Sequence, residues 1–133
     1  MLKNNKNNKI LAKSWNSKNS KGLENLSDFL SKAKLCKNSF SKALGLMFSR
    51  KNKTLIFVFE KEKIISLHMF FVFYPIDVLF LNKNKKVVQL KENFKPFRIM
   101  IAKKPAKYII ELPDKTIKRT NTKLGDTISF KNE

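Results

Sequence analysis

Five side chains in this sequence have the chemistry to hold a ligand: His68, Tyr74, Asp77, Arg98 and Glu111. His68 is the only histidine, which excludes the two-histidine metal motifs and leaves little for a hydrolytic triad. Cys36 is the only cysteine, which excludes an internal disulfide and any Cys-rich zinc site. A thiolate pair of Cys36 with His68 is conceivable chemistry. Cys36 follows Leu35, however, and a lone cysteine among apolar neighbours reads as small core filler. Gly22, Gly45 and Gly125 are the only glycines, too few for a phosphate-binding loop or a dinucleotide fingerprint. The sequence therefore assigns no catalytic residue, no metal and no cofactor. The five side chains are candidates for binding, and an enzyme using His68 and Asp77 is the weaker reading.

Each candidate also has a structural reading. On a strand, His68, Phe70, Val72 and Tyr74 share one face, with Met69, Phe71 and Phe73 on the other. Apolar residues on both faces describe a covered strand, where a histidine is either a satisfied core residue or a switch and ligand residue. Asp77 follows the Pro75 bend inside an apolar run, and buried without a partner it would be costly. It either caps backbone amides, pairs with a base such as Arg98, or meets His68 in a polar cleft. Glu111 in Tyr-Ile-Ile-Glu-Leu-Pro is an acid on an apolar strand, facing solvent or paired. Arg98 is one of three arginines, so its fork suits an internal ion pair or an anionic ligand.

These side chains must be positioned by strands. Leu23, Leu26, Leu30 and Ala33 recur at spacings of three and four, predicting a helix over 20–34 capped by Ser20. A second short helix is expected at 39–44, ended by Gly45. Short apolar or alternating runs at 8–14, 54–59, 64–73, 76–81, 87–91, 97–101, 108–112 and 127–130 read as strands. Asn82 to Lys85 is the clearest hairpin turn. The expected fold is mostly β: a compact antiparallel β-sandwich or barrel with one or two short N-terminal helices. The length of 133 residues suits a basic arm at 1–21, which holds the first short strand, and a single β-rich domain at 22–133.

Ile64 to Leu81 is an 18-residue apolar run, the lower limit for a membrane span. His68 and Asp77 inside it, and Pro75 near its middle, argue instead for two strands meeting at Tyr74-Pro75. The charge is strong, with 29 Lys+Arg against 10 Asp+Glu and a formal net of +19. Such a field attracts RNA and other polyanions, and residues 1–21 carry lysines but no acid. Yet only Arg50, Arg98 and Arg119 are arginine, and 14 residues are asparagine. An A+T-rich coding sequence raises Lys and Asn together, so charge alone does not establish a polyanion partner. No apolar segment of signal-peptide type follows the basic start, which makes the cytoplasm the expected location.

Several separated motifs, in order, resemble a family found in archaea and bacteria, domain-of-unknown-function family 192. Ser41 to Phe48 (SKALGLMF) resembles its R-x-x-GLMF motif, and His68 to Phe80 (HMFFVFYPIDVLF) its central signature in the archaeal form. Lys95-Pro96-Phe97-Arg98, Ala106 to Pro113 (AKYIIELP) and Leu124-Gly125-Asp126 follow. The resemblance spans about 35–131 and implies a compact, mostly β domain without an established reaction. Lys42 stands where the family usually has arginine, Phe97 where tryptophan is common, and Asp114-Lys115 where Ala-Gly usually follows. Residues of about 15–32 look like an insertion. The sequence thus supports a small soluble binding or accessory module of unknown ligand, with an RNA- or ribosome-associated protein as the alternative.

Overall fold

A computed structural model of the chain describes residues 25–37, 53–68 and 73–130, the side chain of His68 excepted. The first element opens at Asn25, whose Oδ1 accepts the Ser27 amide at 3.0 Å and so caps α1 (Leu26–Leu30). Leu26 and Leu30, four apart, share the buried face of this short helix. Asn25→Ala should cost about 1 kcal/mol in a urea melt. The helical pattern was expected to begin at Ser20 and run to Lys34. Ser20 lies outside the described residues, and Lys34 belongs instead to the first strand, β1 (Lys34–Cys36).

Six further strands follow: β2 (Leu55–Lys63), β3 (Ser66–His68), β4 (Ile76–Leu81), β5 (Val87–Phe94), β6 (Ile99–Ile101) and β7 (Ala106–Pro113). A last helix, α2 (Thr116–Thr120), closes the series. Five strands form one sheet in the order β1-β2-β7-β4-β5, and β3 pairs with β6 in a second, two-stranded sheet. All pairs are antiparallel except β1 with β2, so the larger sheet is mixed. Among the described strands β1 and β5 lie at the two edges, and the sheet does not close into a barrel. No helix among the described residues is long and apolar enough to cross a membrane.

The large sheet is covered on both faces, which explains why all six residues of β4 are buried. Ile76, Val78 and Phe80 face an apolar layer shared with Leu55, Phe57, Ile109 and Phe94. Leu67 of β3 and Met100 of β6 pack onto that layer, so the small sheet lies over it in a sandwich-like stack. On the other face Leu79, Ile110 and Leu112 pack with Leu26 and Leu30 of α1, Ile117 of α2, and Ile128 and Phe130. The expected mostly β architecture is what the chain adopts.

One local expectation needs correction, and three others fall partly or wholly outside the described residues. Residues 127–130 alternate like a strand but make only one isolated bridge, Lys86 with Thr127. Beyond it the Ile128 amide donates to the Lys85 carbonyl at 2.9 Å, and the neighbouring chain then turns away into the Asn82–Lys85 hairpin. The segment is held instead by Ile128 and Phe130 in the core and by the Lys85 ammonium donating to the Phe130 carbonyl. The strand expected over 64–73 is described only at Ser66–His68, and residues 69–72 lie outside the description. The strand expected over 8–14 and the helix over 39–44 also fall outside it.

Candidate functional site

The four described candidate side chains, Tyr74, Asp77, Arg98 and Glu111, do not converge on one cleft. Glu111 lies on β7, the central strand, opposite Leu55 and Val78. Its side chain shares the apolar layer between the two sheets, because Leu55 and Val78 both face that layer. It is 4% exposed, and its Oε1 has no hydrogen-bond partner. Glu111 is therefore neither solvent-facing nor paired through that oxygen, the two arrangements its sequence position suggested. Burial pushes its pKa up to about 8, so it is a neutral acid near pH 7. Tyr74, half-buried at the bend before Pro75, packs on the same layer. Burial first, and the charge of Glu111 second, raise the Tyr74 phenol as well. The pair can offer hydrogen bonds near neutral pH.

Asp77 points to the opposite face. Its Oδ2 accepts the Ile117 amide at 2.8 Å and its Oδ1 accepts the Asn93 amide at 2.9 Å. It therefore caps backbone amides and is not paired with Arg98. The Ile117 contact explains α2: its N-cap position is Lys115, in a left-handed conformation with no side-chain cap. Asp77 supplies that cap from 40 positions away in sequence. The Asn93 contact holds a bulge, since β4 residues Ile76 and Val78 pair with Phe94 and Lys91 and leave two β5 residues opposite Asp77. Asn93 has φ 52° there, and its Nδ2 donates to Asp114 at 3.0 Å. Burial holds Asp77 above its ordinary pKa, against the pull of the Asn93, Ile117 and Lys115 amides.

Arg98 is exposed in the turn between β5 and β6. It lines a groove of about 410 Å³ together with Lys91, Asn93, Phe94, Lys95, Ile99 and Met100. Among the described residues, three cations and no carboxylate surround an apolar floor, since Phe94 and Met100 belong to the layer between the sheets. A larger hollow of about 710 Å³ lies by α1 and collects Lys32, Lys34, Lys53 and Arg119, but Asp28 is among its walls. The His68 backbone pairs with Ile99, and its side chain lies outside the described residues. Cys36 is buried in the layer between the sheets. Among the described residues, no group of three His, Cys, Asp or Glu side chains could hold a metal ion.

Sequence reasoning passed over Lys91 and Lys95, because lysines occur everywhere in this chain. The signal was local: Lys95-Pro96-Phe97-Arg98 places an aromatic between two cations in a turn. Phe97 is 58% exposed, unlike the many phenylalanines that fill the core.

The family model for DUF192, described as "Uncharacterized ACR", matches residues 23–130. The chain belongs to this family. The match begins before α1 and so includes the helix that the motif comparison had set apart as an insertion. Family relatives include a UPF0127 protein of Pyrococcus furiosus, 42% identical over 70% of this chain and 81% of its own length. A UPF0127 protein of Thermococcus sibiricus is 37% identical over 77% of this chain and 68% of its own. Among solved structures, a Sinorhizobium meliloti protein described as a candidate transcription regulator shares the fold, with a TM-score of 0.70 and 24% identity. That alignment covers 74% of this chain and 80% of the other. A Novosphingobium aromaticivorans protein of unknown function gives 0.69 and 22%, over 74% of each chain. These two likenesses are of fold alone.

Proposed function

We propose that this member of family 192 is a non-catalytic binding module whose ligand is anionic and is held in the β5–β6 groove. One observation carries the reading: Lys91, Lys95 and Arg98 line one concavity with no acid among its described walls. Like charges brought together without a counter-charge repel, and an anion relieves that repulsion. Arg98 adds the fork geometry that suits oxyanions. The hollow by α1 is the weaker candidate, because one of its four cations is offset by Asp28 and another, Arg119, already has a partner. In this reading the six lysines of residues 1–21 add to the attracting field, and the protein works in the cytoplasm.

The test is an NMR titration of the full chain with inorganic tripolyphosphate. Saturable amide shifts are expected at residues 91–100, and Lys95→Glu with Arg98→Glu should weaken binding at least tenfold. Lys32→Glu with Lys34→Glu makes the same change in net charge in the other hollow and should weaken it far less. Equal losses in the two double variants, or shifts scattered over all lysines, would overturn the assignment.

A further inference from the structure

Two rings beside the groove narrow the class of its partner. Phe97 occupies the same turn as Lys95 and Arg98, and it meets Phe73 edge to face, with centroids 5.6 Å apart and planes at 69°. Phe97 is 58% exposed and Phe73 73%. A single exposed phenylalanine is unremarkable. A touching pair next to three cations is different, because neither ring contributes to the core. In an edge-to-face pair one ring uses only its edge, so its π-faces stay clear of its neighbour.

The backbone also keeps one of these rings outward. Pro96 precedes Phe97, and Phe97 has φ 62°, a left-handed conformation that bulky residues rarely adopt. Glycine would satisfy this turn more easily, so the ring has no evident structural purpose there.

Cations along a groove, an apolar floor and exposed ring faces are the components of a single-strand platform: phosphates take the cations, and bases stack on the rings. We infer that the β5–β6 groove and the Phe73–Phe97 pair bind single-stranded nucleic acid, with phosphates at Lys91, Lys95 and Arg98 and a base on an exposed ring. This rests on the anion-binding reading above and adds the class of partner. A duplex is disfavoured, because its bases present no free faces to a ring. An anionic membrane would also attract cations and phenylalanines, but the cations here line a concavity, which fits a strand better than a flat surface.

The experiment measures fluorescein-labelled U12 and dT12 by anisotropy, with the full chain, alongside tripolyphosphate and vesicles of phosphatidylglycerol and phosphatidylcholine. Phe97→Gly accommodates the positive φ, so its melting temperature should match the parent. It should weaken oligonucleotide binding about 5- to 150-fold and leave tripolyphosphate binding unchanged. Phe73→Ala should act in the same direction, and Lys95→Glu with Arg98→Glu should weaken both ligands. If the charge reversal acts but neither ring variant does, the stacking inference fails while anion binding stands. If the charge reversal changes nothing, both fail. Ring-dependent binding to vesicles without oligonucleotide binding overturns the inference in favour of a membrane surface.

Discussion

Glu111→Gln should flatten the fall in stability expected of the parent protein between about pH 5 and pH 8. The parent carboxyl has its pKa raised from 4.5 to about 8 by burial. The folded state therefore keeps a proton that the unfolded chain releases once the pH exceeds its ordinary value. The native state binds more protons through this window, so stability decreases as pH rises and levels off above about pH 8. The contribution is fully present below pH 4.5 and lost as pH passes through the folded value. At roughly 1.4 kcal/mol per pH unit, the loss amounts to about 3–6 kcal/mol.

Glutamine has nearly the same shape and no proton to lose. Urea midpoints at pH 5, 6, 7, 8 and 9 should converge for the two proteins in acid and diverge in base, with the variant more stable at pH 8. Taking the difference removes every other titrating group. Parallel curves would show that folding does not raise the Glu111 pKa. Glu111→Leu should likewise exceed the parent at pH 8, because the unpartnered Oε1 disappears.

Asp77→Ala is the second large effect, a loss of about 3–5 kcal/mol. The side chain is fully buried and accepts two amides, Asn93 at 2.9 Å and Ile117 at 2.8 Å. Truncation orphans both amides and opens a cavity beneath α2. The consequence is specific: α2 loses its N-terminal side-chain cap, and the β5 bulge at Asn93 loses its anchor. Because Asn93 and Phe94 line the groove, ligand binding should weaken along with stability. Asp77→Asn keeps one acceptor but turns an NH2 toward the other amide, so its loss should be about half as large. Hydrogen exchange adds a local readout, with protection lost first at Ile117 and Asn93. Stability losses below about 1 kcal/mol in both variants would contradict this role.

Much of the fold was legible because local rules governed it. Ile76–Leu81 has the β-branched and aromatic density of a buried strand, and it is one with the expected ends. The Asn82–Lys85 turn was equally clear, and Asn82 Oδ1 accepts the amides of Asn84 and Lys86 there. The helix α2 was missed for a physical reason. Thr-Ile-Lys-Arg-Thr has two β-branched threonines and no local cap, and the group that stabilises it lies on β4. The parallel pairing of β1 with β2 was hidden as well, because three residues carry no signal of which strand they will join.

The candidate site divides along the same line. The sequence by itself determined which residues were out of place: an acid in Ile-Ile-Glu-Leu, another after a proline bend, and a rare arginine beside an aromatic. Residue type and spacing suffice for that, because they set what each side chain costs to bury. Only the tertiary structure decided what answers each cost. Asp77 meets two amides from distant elements, while Glu111 meets apolar side chains and keeps its proton. Arg98 joins lysines seven and three positions earlier in one groove because the β5 bulge and the Pro96 turn fold that stretch back on itself. Partners such as these come from strand order and register, which depend on contacts between segments far apart in the chain.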